Sequence, residues 1–197
     1  MRFRIRLLFL SAALCMAIGA WGFGSYHQVF ERFIVRVSVL GPVPVAAVVD
    51  GDSFYVFTLF GVRFEVRPVG INAKELAHGG RHINKECWGP EGYAYARTLL
   101  EGKVVTLRFD QRKGMYDDYH RLLAYVWVYD SYLNALFGIG GFDFNLRMIE
   151  TGNAEEWQYR GPYQRAGAYL AAETKAREQN LGGWAKCGDF DKHPRKH

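Results

Sequence analysis

The chain has 197 residues, a formal net charge of +5 and a hydrophobic content of 49%. These values exclude a disordered or collagen-like chain and fit one ordinary globular domain with its own core. Arg2, Arg4 and Arg6 at the N-terminus supply three of the positive charges, and removing them from +5 leaves +2. Overall charge is therefore weak support for a polyanionic partner, and the placement of individual arginines matters more.

The N-terminus is typical of an export signal, because its three arginines precede the uncharged, mostly apolar run Leu7–Phe23. That run is long for the core of a signal peptide and lies at the lower limit for a membrane span. Residues 1–24 are therefore interpreted as a signal peptide or a membrane anchor, and residues 25–42 as a connector. Since basic flanks stay in the cytoplasm, we expect an extracytoplasmic protein. It would be secreted or periplasmic after cleavage, or anchored in the membrane through residues 7–23.

Two cysteines, Cys87 and Cys187, lie beyond the N-terminal segment. An even pair in an oxidising compartment favours a disulfide. Cys87 comes just before a predicted helix and Cys187 just after the last one. We expect these two residues to be joined, and two unpaired buried thiols are the alternative.

The remaining chain is interpreted as one domain, residues 43–187, followed by a tail, residues 188–197. Apolar periodicity, with Pro90 opening one helix and Gly102 ending it, predicts three strands, a helix, two strands and two helices. In chain order these are Val43–Val49, Ser53–Phe60, Val62–Arg67, the helix after Gly89, Val104–Phe109, Leu122–Val128, Asn145–Glu150 and Tyr163–Gln179. This order predicts an α+β, mainly β fold, built on the five-stranded OB-fold barrel with about three helices.

Two segments depart from this regular pattern. Pro68 interrupts the third strand, which predicts a strand edge or a bulge at that point. Ser131–Asp143 is longer than the usual connection between a strand and a helix, and it is apolar. A packed loop and a loop that touches a membrane or a partner both remain open for it.

Three short segments carry residues suited to chemistry. Asp50 and Asp52 flank a glycine at a tight turn, Arg67 precedes Glu75 by eight residues, and Arg121 opens an apolar strand. A metal anchor, a carboxylate for water and two cations form a minimal set for cutting a phosphodiester. Each segment alone is more ordinary, since Asp-Gly turns and strand-end arginines are common.

Taken in this order, the segments resemble the staphylococcal nuclease (thermonuclease) family from about Val43 to Trp184. The family turn Asp-Gly-Asp-Thr/Ser is matched by Asp50–Ser53. Its Arg-x-x-Gly-Ile-Asp-Ala-Pro-Glu is matched in part by Arg67–Glu75, and its Asp-x-Tyr-Gly-Arg-x-Leu-Ala-Tyr by Asp117–Tyr125. Further matches are Gly89-Pro90-Glu91, Asn145-Leu146, Thr151-Gly152-Asn153-Ala154 and Gly183-Trp184.

The resemblance implies an OB-fold barrel and Ca²⁺-dependent hydrolysis of DNA, RNA or both, by an endonuclease of the thermonuclease type. Carried over residue by residue, it makes Asp52 a direct Ca²⁺ ligand. Asn72 takes the place of a second carboxylate ligand, and Ala73 offers its backbone carbonyl.

The resemblance also implies the residues of the reaction itself. Glu75 would orient or deprotonate the attacking water. Arg67 and Arg121 would bind phosphate and stabilise the crowded phosphorus, for which a bidentate guanidinium suits better than an ammonium. Tyr119 would line the nucleotide pocket by a hydrogen bond or by stacking.

Three residues depart from the family pattern. Asn72 replaces an aspartate and brings an amide oxygen without charge, so we expect weak Ca²⁺ affinity that Asn72→Asp tightens. Lys74 replaces a proline, which is expected to free the loop and add a cation beside Glu75. Pro68 stands where the family has an aliphatic residue.

These departures motivate an alternative of a different class, a catalytically weak or inactive OB-fold module that binds nucleic acid. An anchored structural or interaction protein ranks third, because it rests only on the apolar segments. The sequence indicates no protein partner.

Overall fold

The computed structural model describes residues 38–58, 61–76, 86–188 and 190. The apolar run Leu7–Phe23, most of the connector and most of the tail lie outside these residues. Within the described part of the chain, no helix combines the length and the apolar character needed to cross a membrane.

Eight strands and five helices are defined in this part of the chain. The strands are β1 (Val39–Asp50), β2 (Ser53–Phe57), β3 (Arg63–Pro68), β4 (Ile71–Asn72), β5 (Val104–Arg108), β6 (Leu122–Tyr129), β7 (Phe142–Asp143) and β8 (Glu155–Glu156). The helices are α1 (Gly89–Leu100), α2 (Tyr132–Phe137), α3 (Phe144–Glu150), α4 (Ala166–Glu178) and α5 (Gly183–Lys186). The predicted strands and longer helices are all present, with ends shifted by up to four residues.

The strands close into a barrel. Their order is β3-β2-β1-β5-β6, and β3 also pairs with β6. Neighbours in this order are antiparallel, whereas the closing pair β3–β6 is parallel. The predicted α+β fold on a five-stranded OB-fold barrel is therefore confirmed. β4 and β8 form a separate two-stranded antiparallel sheet.

Strand β1 begins inside the segment interpreted as a connector. Val39 and Leu40 pair with Arg108 and Leu107 of β5, and Val43 is the buried residue of the strand. Sequence pattern did not indicate this start, because pairing with a strand more than 60 residues later leaves no local signal.

Buried and more exposed side chains alternate along β2 and β3, and the buried ones form much of the core. Phe54, Val56 and Val66 are fully buried, whereas Arg63 on the other face of β3 is exposed. The period of two that predicted these strands therefore also separates the barrel interior from the outer face.

Pro68 is the last residue of β3, so the N–H that proline lacks removes no hydrogen bond from the middle of a strand. The following Val69 N–H donates to Ala124 O across the closing pair at 2.9 Å. Gly70 then takes φ +81°, and a Cβ there would lie 2.6 Å from ring atoms of Tyr163. The chain therefore turns sharply at this glycine and enters β4.

The side chain of Asn145, at the start of α3, secures this turn and the barrel closure. It is fully buried, and its Nδ2 donates to Val69 O at 2.8 Å and to Ala124 O at 3.3 Å. Its Oδ1 accepts from Val126 N at 3.0 Å. One amide therefore forms hydrogen bonds with three backbone groups along the barrel seam.

The apolar segment after β6 contains a helix, α2, rather than only a loop. Ser131 caps its first turn, with Oγ accepting from Asn134 N at 3.2 Å, and Gly138 ends it in the left-handed conformation. No residue of α2 is buried, and Leu133 and Phe137 are 66% and 68% exposed.

A disulfide joins Cys87, just before α1, to Cys187, just after α5. The two Cα atoms are 5.9 Å apart and 100 residues apart in sequence. Beside it, Trp88 Nε1 donates to Asn153 Oδ1 at 2.9 Å. The disulfide ties the C-terminal part of the described chain to the start of α1, and the Trp88 hydrogen bond ties the segment after α3 to the same place.

We expect replacement of both cysteines, Cys87→Ser with Cys187→Ser, to lower the free energy of unfolding by about 2–4 kcal/mol. A crosslink across a long loop restricts the unfolded chain. Urea unfolding of the oxidised wild type and the double variant measures the difference. A reductant should lower the free energy of unfolding of the wild type to that of the variant and leave the variant unchanged. Equal free energies of unfolding without reductant would contradict the prediction.

We expect Asn145→Ala to lower the free energy of unfolding by about 3 kcal/mol, because it leaves buried backbone groups at Val69 and Val126 without partners. Asn134→Ala in the exposed helix α2 is the control, with an expected change within about 0.5 kcal/mol. Chemical denaturation of both variants checks this, and a similar effect at the two positions would argue against the role of Asn145.

Candidate active site

The turn between β1 and β2 presents Asp52 toward Ala73, in the second motif segment, Arg67–Glu75. Asp50 Oδ1 accepts from Asp52 N at 2.9 Å, which stabilises the turn locally. A Cβ at Gly51 would lie 2.5 Å from the Ala73 Cβ, so only glycine permits this approach. Ala73 N in turn donates to Asp52 Oδ2 at 2.6 Å. The carboxylate and the backbone of Ala73, separated by 21 residues, are thus clamped together.

Arg67, near the end of β3, bridges the two side chains assigned to metal binding. Its Nη1 forms an ion pair with Asp52 Oδ2 and donates to Asp52 O at 3.1 Å. Its Nη2 donates to Asn72 Oδ1 at 3.1 Å. The structure therefore brings Asp52, Arg67, Asn72 and Ala73 into one cluster.

Burial raises the pKa of Asp52 from 3.8 to about 7. The nearby Arg67 guanidinium lowers it and Asp50 raises it, while the Ala73 N–H lowers it and Glu75 raises it. Burial and the neighbouring carboxylates together therefore outweigh one guanidinium. A further cation at this cluster would compensate the remaining negative charge.

The donor set fits a hard divalent cation, because the carboxylate of Asp52, the amide of Asn72 and a backbone carbonyl at Ala73 all offer oxygen. Among the residues that the structure describes, no three Asp, Glu, His or Cys side chains form a group able to hold a metal. A cation here would therefore depend on amide and carbonyl oxygens as well as on carboxylate.

Arg121 is held by the turn that precedes β6. Its Nε and Nη2 each lie 2.7 Å from Asp117 Oδ2, and Asp117 Oδ1 accepts from the backbone N–H groups of Tyr119 and Arg121 at 2.9 Å. His120 within this turn has φ +62°. A single buried carboxylate thus builds the turn and orients the guanidinium.

Arg67 and Arg121 line the same cavity, which has a volume of about 210 Å³. Tyr119 stands at its edge, 79% exposed, with the Arg121 guanidinium 5.3 Å from its ring centre. The closing strand pair explains this proximity, since Val66 lies opposite Leu122 and Arg67 opposite Leu123.

Further residues of this cavity were missed by sequence reasoning. They are Lys113, Trp157, Tyr159 and Tyr163. Lys113 Nζ donates to the carbonyls of Tyr159 and Gly161, and Asp118 pairs with Arg160 and accepts from Tyr159 Oη. The only sequence signal was the aromatic spacing Trp157-Gln158-Tyr159, which no motif distinguishes from core residues.

Glu75 lies just beyond the cluster and is half-buried. Its N–H donates to Glu86 Oε2 at 2.9 Å, and its carbonyl accepts from Glu86 N at 3.1 Å. Gly89 packs against it, since a Cβ there would lie 2.3 Å from Glu75 O. The backbone that carries this carboxylate is therefore fixed against the start of α1.

The expectation that Lys74 frees the loop and adds a cation beside Glu75 is wrong. The Lys74 ammonium lies 3.6 Å from Glu155 Oε1 on β8 and 5.0 Å from the ring centre of Phe190. Lys74 and Glu155 are each only 5% exposed. A buried ammonium requires a buried counter-charge, and Glu155 supplies it, so Lys74 anchors the loop.

Asp52→Asn tests the pKa of the buried carboxyl. Because folding raises the pKa of Asp52 from 3.8 to about 7, the unfolded chain releases this proton at a lower pH than the folded protein does. The free energy of unfolding therefore falls as pH rises from 3.8 toward about 7. In metal-free buffer, we expect Asp52→Asn to raise the free energy of unfolding at pH 8, with a gain that vanishes near pH 4. Urea unfolding with chelator measures this. The exposed Asp130→Asn is the control, and a larger gain at pH 4 would contradict the prediction.

Comparison with known proteins is consistent with this geometry. The family model described as "Staphylococcal nuclease homologue" matches residues 65–186. The chain is 28% identical over 189 residues to "Probable endonuclease LCL3" of Pyricularia oryzae, with 84% of this chain and 68% of that protein covered.

Two further relatives differ in what their names state. An uncharacterised protein of Methanocaldococcus jannaschii is 28% identical over 155 residues, covering 71% of this chain and 70% of that protein. A "Thermonuclease" of Staphylococcus hyicus is 25% identical over 141 residues, covering 72% and 74%. Because the family model matches more than half of the chain, and the barrel and its clustered residues agree with it, the chain belongs to the staphylococcal nuclease family.

Proposed function

We propose that this protein is a Ca²⁺-dependent endonuclease that hydrolyses phosphodiester bonds of DNA, RNA or both outside the cytoplasm. The observation that carries the proposal is that Arg67 and Arg121 line one cavity, beside the buried carboxylate of Asp52. Family membership and a relative named "Thermonuclease" support a nuclease, and the name "Probable endonuclease LCL3" of another relative supports an endonuclease. The Ca²⁺ dependence rests on the oxygen donors, and the location rests on the apolar N-terminal run.

Asp52, Asn72 and Ala73 would hold the cation in this proposal. A bound Ca²⁺ supplies a Lewis acid that polarises the phosphate and offsets its charge. Arg67 has five N–H donors. Its guanidinium can therefore keep contacts to Asp52 and Asn72 and still direct N–H groups toward a phosphate in the cavity.

Arg121 approaches the cavity with its orientation already set by Asp117. A preoriented guanidinium stabilises the negative charge that develops on the phosphoryl oxygens without reorganising at the moment of reaction. Glu75, on its fixed backbone, would orient or deprotonate the attacking water. Tyr119 and Trp157 offer aromatic faces on which the bases beside the cleaved bond can stack.

The second candidate, a binding module without catalysis, is favoured by one observation. Arg67 already lies between Asp52 and Asn72, so a guanidinium partly supplies the positive charge that a metal would bring. Such a module would retain the cavity and the aromatic faces, and would bind single strands without cutting them.

Glu75→Gln separates these candidates. With the full chain purified in mild detergent, we expect Ca²⁺-dependent cutting of single-stranded DNA that chelator abolishes. Glu75→Gln should lower the rate by at least about 100-fold, the usual contribution of an acid–base residue. The exposed Glu178→Gln on α4 is the matched control and should cut at the wild-type rate.

Two results would contradict the proposal in different ways. Wild-type protein that retains DNA but does not cut it across a wide Ca²⁺ range would establish the binding module. Ca²⁺-dependent cutting that Glu75→Gln leaves unchanged would exclude the role proposed for Glu75, but would still support nuclease activity.

A further inference from the structure

We propose that Glu155 is a positioning residue that turns the side-chain oxygen of Asn72 toward the cation site. The inference rests on the proposed Ca²⁺ site and adds a residue on which its neutral ligand depends. Glu155 lies on β8, 83 residues from Asn72 in sequence, and belongs to none of the three motif segments.

The side-chain amide of Asn72 lies between two charged partners of opposite sign. Arg67 Nη2 is 3.1 Å from Asn72 Oδ1, and Asn72 Nδ2 is 2.9 Å from Glu155 Oε1. A guanidinium can only donate hydrogen bonds, and a carboxylate can only accept them. Only one of the two amide orientations satisfies both partners, and the reverse orientation would oppose both. The chemistry of the neighbours therefore determines which way the amide faces.

This orientation matters because an asparagine has only one oxygen. An aspartate offers two equivalent oxygens, so either flip of its carboxylate presents a ligand. An asparagine presents a ligand in one flip and an NH₂ group, which repels a cation, in the other. A partner that binds the NH₂ group therefore makes the difference between a metal ligand and a group that disfavours metal.

Glu155 can do this from within the protein because its charge is compensated. It is 5% exposed, and the same Oε1 that accepts from Asn72 lies 3.6 Å from the Lys74 ammonium. An isolated buried carboxylate would be costly, whereas a paired one is tolerated. Asn72, Lys74 and Glu155 therefore form one unit, in which both residues that depart from the family motif contact the same carboxylate oxygen.

The unit also changes what an aspartate at position 72 would do. Its carboxylate would lie at hydrogen-bond distance from the carboxylate of Glu155, where two negative charges repel each other. The gain in Ca²⁺ affinity expected from Asn72→Asp is therefore offset for as long as Glu155 is present.

Two double variants with equal net charge isolate the acceptor. Lys74→Met with Glu155→Gln removes both charges but keeps an oxygen that accepts from Asn72 Nδ2. Lys74→Met with Glu155→Met removes the same charges and the acceptor. Each pair is made with Asn72 and again with Asn72→Asp, and Ca²⁺ binding to the full chain is measured by calorimetry in mild detergent.

With Asn72 present, we expect the Glu155→Met pair to bind Ca²⁺ about tenfold more weakly than the Glu155→Gln pair, as for other residues that orient a metal ligand. With Asn72→Asp, we expect the two pairs to agree within about twofold, because a carboxylate does not need to be oriented. Hydrogen exchange of the Asn72 NH₂ protons, followed by NMR in the wild type and the Gln pair, gives a second measure. Slow exchange is expected in both.

The possible failures are distinguishable. Wild-type protein that binds no Ca²⁺ would overturn the proposed metal site together with this inference. If the wild type binds Ca²⁺ and the double variants with Glu155→Gln and Glu155→Met bind it with equal affinity, this inference alone would be overturned. Equal weakening by Glu155→Met with Asn72 and with Asn72→Asp would show a purely structural role, and rapid exchange of the Asn72 NH₂ protons would exclude the hydrogen bond.

Discussion

Closure of the barrel by the parallel pairing of β3 with β6 is the constraint on which the site depends. Arg67 is near the end of β3, and Arg121 immediately precedes β6, so this one pairing brings two distant cations to the same cavity. The seam is protected by a single amide, since Asn145 bonds to backbone groups on both of its sides. The stability of the fold and the geometry of the site therefore depend on the same contacts, the β3–β6 pairing and the hydrogen bonds of Asn145.

A second constraint is the compensation of buried charge. Asp52 and Glu155 are both nearly inaccessible carboxylates, and burial raises the pKa of each. Arg67 forms an ion pair with Asp52, and Lys74 forms one with Glu155. The side-chain amide of Asn72 connects the two pairs by hydrogen bonds to Arg67 and Glu155. Charges alternate along this chain of contacts, so a change at one member alters the balance at the next. Substitutions within it are expected to be non-additive.

The fold was largely predictable because its signals are local. Apolar alternation located β2 and β3, and Pro90 with Gly102 located α1. The helix α2 is not among the predicted elements, although its Ser131 cap, its terminal Gly138 and the helical spacing of its apolar residues are visible in the sequence. The early start of β1 was missed because only pairing with β5 defines it.

For the site, the sequence alone determined the chemically distinctive residues: Asp52, Arg67, Glu75 and Arg121 occur in short motifs whose order and spacing are informative. The tertiary structure decided what surrounds them. The sequence suggested that Lys74 is a loose cation beside Glu75, whereas folding buries its ammonium against Glu155. That contact, like the one between Glu155 and Asn72, spans about 80 residues and arises only because β4 pairs with β8. Partners of a buried polar group are set by which strands meet, and no local pattern records that meeting.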